Sequence, residues 1–455
     1  MPDSFPSNSP AIAVPAVSPL GASPRRSTFI LRACFQVLLA ASAFVFHSTF
    51  ERRLDGLGAF DQLDVIFDTD PSTRIQFFAA GGWRQRCFVH PLIRFVSLPI
   101  RGAAIFADQT GITVAPPKVF RRGLGMLVAP VCSALTAVVM FRVFRGAGFG
   151  DLAAAAGAIL HQVTFSQMMF GSIPESFVLS GLGLSLVLLC GLVLPTSDRV
   201  AWPRWLAVGV FTTGVTITQI IPTCLMFAAC CRCGGRGVRE TARATALLGG
   251  LSVALALSIS SLLTFPNAGS SPLTPAAQAA HYAKFFPSRP LEHAFGMIAA
   301  LPNSIAPPPA RIVHNRRDES NRYQIRFTLE SVSHPGTIFA VWMLFLVGLW
   351  LGLRSDAPVQ RALCLGSVAI VLYNCLFHAL WGYEWFLYSQ HWLTPMVFLM
   401  AAPLRCAGRY RLPVWGATLI ALTLIAANNS HRCGEIVARL EAEPKVVVAP
   451  LEASE

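Results

Sequence analysis

The sequence predicts an all-α polytopic membrane protein, and three observations carry that prediction. The 455-residue chain is 54% hydrophobic, with a mean hydropathy of +0.55. Only 13% of its residues are charged, where a soluble domain has about a quarter. Apolar runs of bilayer-crossing length recur along it. Together these exclude an ordinary soluble enzyme, a disordered chain and a secreted disulfide scaffold. Of the twelve Cys, most lie inside apolar runs (Cys34, Cys132, Cys190, Cys224, Cys364, Cys375) and read as small hydrophobes. The cluster Cys230, Cys231, Cys233 is followed by no second Cys or His pair at zinc spacing.

Residues 1–24 are rich in Pro, Ser and Ala and read as a disordered tail. Arg25 and Arg26 then precede an apolar run at about 28–49. That run is long for a signal peptide, so it is expected to be an uncleaved first span with its N-terminus in the cytoplasm. Further runs fall at about 124–143, 151–168, 174–195, 203–231, 242–264, 336–353, 362–381, 386–404 and 412–428. The 203–231 run is too long for one comfortable span, and Thr218, Gln219 and Pro222 interrupt it. Read as two short helices, 203–216 and 218–231, it brings the total to about eleven transmembrane helices.

The basic residues test this count. The net charge is +13, and only three of the 36 basic residues are Lys (Lys118, Lys284, Lys445). With the N-terminus inside, the cytoplasmic connections hold Arg142 and Arg145; Arg199 and Arg204; Arg232, Arg236, Arg239 and Arg243; Arg354 and Arg361; and Arg405, Arg409 and Arg411. The short outer connections near 169–173, 217 and 382–385 hold no Lys or Arg. This is the positive-inside pattern. A single span over 203–231 would break it. Much of the positive charge is therefore topological, and nucleic acid is not an expected partner.

Two long loops, 50–123 and 265–335, fall on the outer side, as does the tail 429–455. The segment 90–107 is apolar but carries Arg94, Arg101, Pro91 and Pro99. It is expected to lie along the membrane surface, because a span there would invert all later topology. In domain terms this gives a transmembrane module over 25–264 with its outer loop, a second outer loop, C-terminal spans over 336–428, and the tail. No internal repeat is visible, so an inverted-repeat transporter gains no support.

Six of the 23 acids lie between 51 and 70: Glu51, Asp55, Asp61, Asp64, Asp68 and Asp70. Asp68-Thr69-Asp70 places two carboxylates at i and i+2. Such a pair suits a general base for an acceptor hydroxyl, or a divalent cation, with Arg74 to hold a carboxylate ionised or bind phosphate. The plain alternative is a solvated acidic loop ending in an Asp-Pro turn. His90-Pro91-Leu92 opens the surface segment, either to meet a lipid phosphate or sugar or simply to start a helix. Glu175 stands at an outer tip beside Pro174. The densest polar set in apolar sequence runs from His378 to Trp392. Its Trp and Tyr fit an interfacial belt, whereas Glu384, Gln390, His391 and His378 fit a sugar-binding surface. The 265–335 loop holds an excess of basic residues, among them His281, Lys284, Arg289, His293, Arg311, His314, Arg322 and Arg326. Arg316 and Arg317 are its first candidates for a phosphate or diphosphate clamp.

In order and sidedness these features resemble the GT-C superfamily of integral membrane glycosyltransferases, and within it the protein O-mannosyltransferase and lipid A aminoarabinose transferase branch. Asp68 and Asp70 with Arg74 resemble the family's acidic pair followed by Arg. His90-Pro91-Leu92 resembles the start of its surface helix, Pro174-Glu175 an outer-tip Pro-Glu, and the pair of helices at 203–231 its hairpin. The acids are Asp-Thr-Asp rather than adjacent Asp-Glu, and a large soluble C-terminal domain is lacking. The resemblance implies inverting transfer of a sugar from a polyprenyl-phosphate donor in the outer leaflet to a glycan, lipid or protein acceptor, with Asp70, or else Asp68, as base. A bacterial inner membrane is the expected setting. A transporter and a non-catalytic membrane assembly protein are the alternatives.

Overall fold

The computed structural model describes residues 26–61, 64–80, 90–111, 117–197, 199–264, 290–314, 323–327, 335–382, 385–405 and 411–442. The tail 1–24 falls outside them. The chain is helical nearly throughout and begins with α1 (Arg26–Gly56), α2 (Pro71–Ala80), α3 (Arg94–Thr110), α4 (Pro117–Met126) and α5 (Val128–Gly146). Next come α6 (Asp151–Val163), α7 (Phe165–Phe170), α8 (Phe177–Gly191), α9 (Trp202–Val215), α10 (Ile220–Cys233) and α11 (Val238–Thr264). The remainder is α12 (Pro290–Ile305), the antiparallel hairpin β1 (Arg311–His314) and β2 (Tyr323–Arg326), α13 (Pro335–Leu353), α14 (Pro358–Leu380), α15 (Leu393–Ala401) and α16 (Arg411–Ala442).

Each of the eleven apolar runs is helical. Among the described residues, seven segments are long and apolar enough to cross a bilayer: Phe29–Gly56, Val119–Gly146, Phe177–Thr196, Val238–Leu262, Pro335–Leu353, Pro358–Leu380 and Arg411–Ala442. This makes the chain an integral, polytopic membrane protein. The runs at 151–168, 203–216, 218–231 and 386–404 form shorter helices. Several boundaries differ from the sequence reading, for local reasons. The 151–168 run breaks at Thr164, whose backbone is extended and whose Oγ1 donates to the His161 carbonyl at 2.7 Å. A short hydroxyl side chain there competes with the helix ladder. The 386–404 run opens as a 3-10 turn, Phe386–His391, before α15. The 412–428 run continues as one helix to Ala442. The long loops are also structured, the first by α2–α4 and the second by α12 and the hairpin.

The 203–231 segment is split as its Thr-Gln-Pro interruption suggests. Thr212 Oγ1 and Thr223 Oγ1 lie 2.9 Å apart. In one straight helix, eleven residues would separate them by about 16 Å. The chain therefore folds back at 216–219.

α1 packs on α5, α5 lies against α6 and α8, α10 packs on α14, α9 on α11, and α13 on α15. Small residues permit the closest approaches. A Cβ on Gly348 of α13 would stand 1.8 Å from the Leu399 carbonyl oxygen of α15. One on Gly366 of α14 would stand 2.5 Å from the Met226 sulfur of α10. Between lipid-facing helices such contact replaces the hydrophobic effect as the source of cohesion. The lipid side is apolar: Phe339, Met343, Leu346 and Trp350 of α13 are all exposed. So are Phe95, Leu98, Ile105 and Phe106 of α3, as a helix lying in the membrane surface requires.

The connections read as outer meet at one end of this bundle. The Phe67 amide donates to the Ile325 carbonyl at 2.8 Å and the Ile325 amide to Val65 at 2.7 Å, joining the two long loops. The Leu92 amide donates to Gly214 at 2.9 Å, at the α9–α10 turn.

Candidate active site

The joined end of the bundle holds the acidic segment 64–70. Its backbone is unusual: Asp64, Phe67 and Asp68 have φ of 57°, 50° and 59°. Asp tolerates the left-handed region, but Phe does so only when its surroundings hold it there. Phe67 is fully buried among Phe165, Phe327 and Phe386, with ring centroids 6.0, 4.9 and 4.5 Å away. The bridge between Ile66 and Ile325 pins the main chain on the other side. Within the segment, the Asp64 amide donates to the Thr69 carbonyl at 2.9 Å and Thr69 Oγ1 to the Ile66 carbonyl at 2.6 Å. This curl brings Asp64, Asp68 and Asp70 into one electrostatic cluster, all partly accessible.

Glu175 fixes the far edge of the cluster. It is 2% exposed, and Arg74 is 4% exposed. The Asp70 amide donates to Glu175 Oε1 at 2.8 Å. Arg74 Nε donates to Oε2 at 2.8 Å, as does the Ser176 amide at 2.9 Å. The carboxylate is thus paired with a guanidinium and two amides, which is what a buried charge needs. It ties the start of α2 to the start of α8.

Burial raises the Asp64 carboxyl to about 7, helped by the charges of Asp68 and Asp70, a hydrogen bond with Asp70, and Glu175. Burial also raises Asp68, where Arg326 opposes the shift and Asp70 adds to it. Near neutral pH Asp64 therefore sits close to its titration point, while Asp68 faces the Arg326 cation. Among the described residues no three His, Cys, Asp or Glu side chains converge as a metal site.

The other acids of the first loop are used differently. Arg122 of α4 pairs with Asp55 at 2.5 Å and with Asp61 at 3.0 Å, and Glu51 is buried in α1. His90 donates from Nδ1 to the Val215 carbonyl and lies 3.4 Å from Thr216 Oγ1, so it docks the surface segment onto the α9–α10 turn.

The His378–Trp392 set lies next to the acidic segment but largely faces inward. His378 Nε2 and His391 Nδ1 share a hydrogen bond of 3.0 Å. Tyr388 stacks on His378 at 4.2 Å between centroids. Gln390 Nε2 donates to Ser166 Oγ at 3.0 Å. His378, Gln390 and His391 are all buried. Glu384, Arg316 and Arg317 lie outside the described residues.

The structure thus brings together Asp68, Asp70, Arg74 and Glu175 from the sequence candidates. It adds Asp64 and Arg326, which sequence reasoning counted without singling out. Asp64 reaches the cluster through left-handed backbone, and Arg326 through pairing of β2 with a segment more than half the chain away. Four- and six-residue spacing to Asp68 and Asp70 was the available signal for Asp64; Arg326 had none.

No protein-family profile and no curated protein matches this sequence. Among solved structures, the chain is similar to ArnT from Cupriavidus metallidurans bound to undecaprenyl phosphate. The TM-score is 0.54 at 12% identity, covering 92% of this chain and 70% of ArnT. The chain has the ArnT fold. The same enzyme in its apo state aligns with a TM-score of 0.47 at 11% identity, covering 91% of this chain and 77% of that one. The former likeness agrees with the fold that the sequence resemblance implies.

Proposed function

We propose that this protein is a membrane glycosyltransferase that moves a sugar from a polyprenyl-phosphate donor to an acceptor hydroxyl at the Asp64–Asp68–Asp70 cluster. The observation that carries the reading is this cluster, held at one end of an ArnT-like bundle beside an arginine. ArnT itself was solved with undecaprenyl phosphate, which supports a ligand of that class here. The positive-inside pattern supports the periplasmic face of a bacterial inner membrane for this end.

In the proposed reaction Asp70 accepts the proton of the acceptor hydroxyl. The oxygen then attacks the anomeric carbon, and the bond from that carbon to the phosphate oxygen breaks. The electron pair leaves with the polyprenyl phosphate. Arg326, facing Asp68, is the described cation best placed to meet that phosphate; Arg316 and Arg317 of the same loop are further candidates. Asp64 carries its proton toward Asp70 and orients it. Glu175 and Arg74 position the main chain of Asp70. His90, His378, Gln390 and His391 support the surrounding scaffold, and Glu384 remains a candidate for sugar hydroxyls. No step is routed through a divalent cation.

Transfer from a labelled polyprenyl-phosphate sugar by the full chain in proteoliposomes tests the reading. Asp70→Asn is expected to lower the rate by roughly 100- to 10,000-fold, and Arg326→Gln to weaken donor use. Full activity in both Asp70→Asn and Asp68→Asn overturns it.

A further inference from the structure

At the end of α8 away from the acidic cluster lies a cavity of about 390 Å³ between α8 and α9. α8 starts two residues after Glu175 and runs 15 residues to Gly191. The cavity is therefore about 20 Å from the cluster along the helix and belongs to a different site. Its walls are apolar, with Leu186, Leu189 and Val193 from one side and Ala207 and Val208 from the other. Two charged residues, Arg199 and Arg204, complete the lining. Both are exposed, and among the described residues no carboxylate pairs with either.

We propose that this cavity binds a membrane phospholipid with an anionic headgroup, its acyl chain in the apolar cleft and its phosphate between Arg199 and Arg204. Charge complementarity selects the occupant. This end of the bundle also carries Arg232, Arg239, Arg243 and Arg361; of its acids, Glu240 is paired with Arg236 and Asp151 with Arg32 and Arg145, and Asp198 and Asp356 leave the balance basic. α9 starts without a side-chain cap and without an acid in its first turn, so its positive dipole end is left to an external anion. Trp202, half-buried at the start of α9, suits the depth at which headgroups sit. An apolar cleft with two arginines at its mouth matches a lipid, whose two ends differ in the same way, rather than a free anion. The volume lies within the range of small-ligand sites.

The experiment is native mass spectrometry and thermal melting of the full chain in detergent, titrated with phosphatidylglycerol or phosphatidylcholine. Wild type is expected to bind phosphatidylglycerol preferentially, by about fivefold for each arginine. Arg199→Gln with Arg204→Gln should abolish the preference, and Lys at both positions should restore most of it. Ala207→Trp, which fills the cleft, should remove binding of the acyl chain while leaving both charges. Arg239→Gln, at the same end but off the cavity, should change nothing. Three results would each overturn the assignment: equal binding of the two lipids by wild type, an equal loss in Arg239→Gln, or an equal thermal shift with soluble glycerol phosphate. Because the site does not touch the acidic cluster, sugar transfer and lipid preference can fail independently.

Discussion

Asp64 is the residue whose chemistry depends most on its surroundings. Its carboxyl is raised to about 7 from an ordinary value near 4. Between those values the folded chain keeps a proton that the unfolded chain has released. Stability therefore falls as pH rises through this window and levels off above about 7. Asp64→Asn is expected to flatten the dependence of Tm on pH between about 4 and about 7, as scanning calorimetry would show. An equally steep profile in the variant would place the titration elsewhere. Glu175 makes the opposite case, a buried charge that is fully paired. Glu175→Ala removes the carboxylate that Arg74 Nε and the Asp70 amide share, a loss of about 3–5 kcal/mol for a broken buried pair. Glu175→Gln keeps the shape and should cost less. Melting of both variants in the same detergent checks the order.

Elements were legible to the degree that they are long and apolar. The spans from α1 to α14 stand out because twenty apolar residues have few other uses. The fold-back at 216–219 was also legible, through Thr218, Gln219 and Pro222 together with the side on which the arginines fall. The break at Thr164 was not, since one Thr in an apolar run carries little signal until its hydroxyl is seen on His161. The continuation of α16 was hidden for the opposite reason: residues 429–442 are polar on one side and do not read as membrane sequence. Their other side is committed. Asn429 donates to the carbonyls of Val163 and Ile305, both at 2.7 Å, which satisfies two helix ends at once. Close helix contacts are another property of elements. Gly348→Ala would force a methyl group against the Leu399 carbonyl, and a cost of about 1–3 kcal/mol is expected for overpacking. Thermal melting would register it, and an unchanged Tm would show that α13 can shift away from α15.

For the whole molecule, the fold class could be read from where charge is scarce, and a candidate site from where acids gather. Assembly of the site could not, because it depends on contacts between distant parts of the chain. The apolar cluster beneath the acidic segment draws Phe60, Val65 and Phe67 from the first loop, Phe165 and Phe170 from α7, Ile325 and Phe327 from the second loop, and Ile436 and Val437 from α16, the last helix among the described residues. A charge placed in that cluster should loosen the site and leave the bundle inserted. Ile436→Asp is expected to reduce sugar transfer at least tenfold while membrane integration, measured by carbonate extraction, is retained. Loss of both would show that the last helix holds the whole bundle together.

The main-chain bridge between Ile66 and Ile325 also bears on biogenesis. A ribosome delivers the acidic segment about 260 residues before the strand that bridges it, with the helices α5 to α11 made in between. Non-local pairings of this kind form late. Until then Phe67 has neither Phe327 nor Phe386 against which to hold its left-handed turn, and the carboxylates have no fixed arrangement. A chain stalled before Phe327 is expected to lack both the bridge and the aromatic packing, and with them the carboxylate arrangement proposed for catalysis.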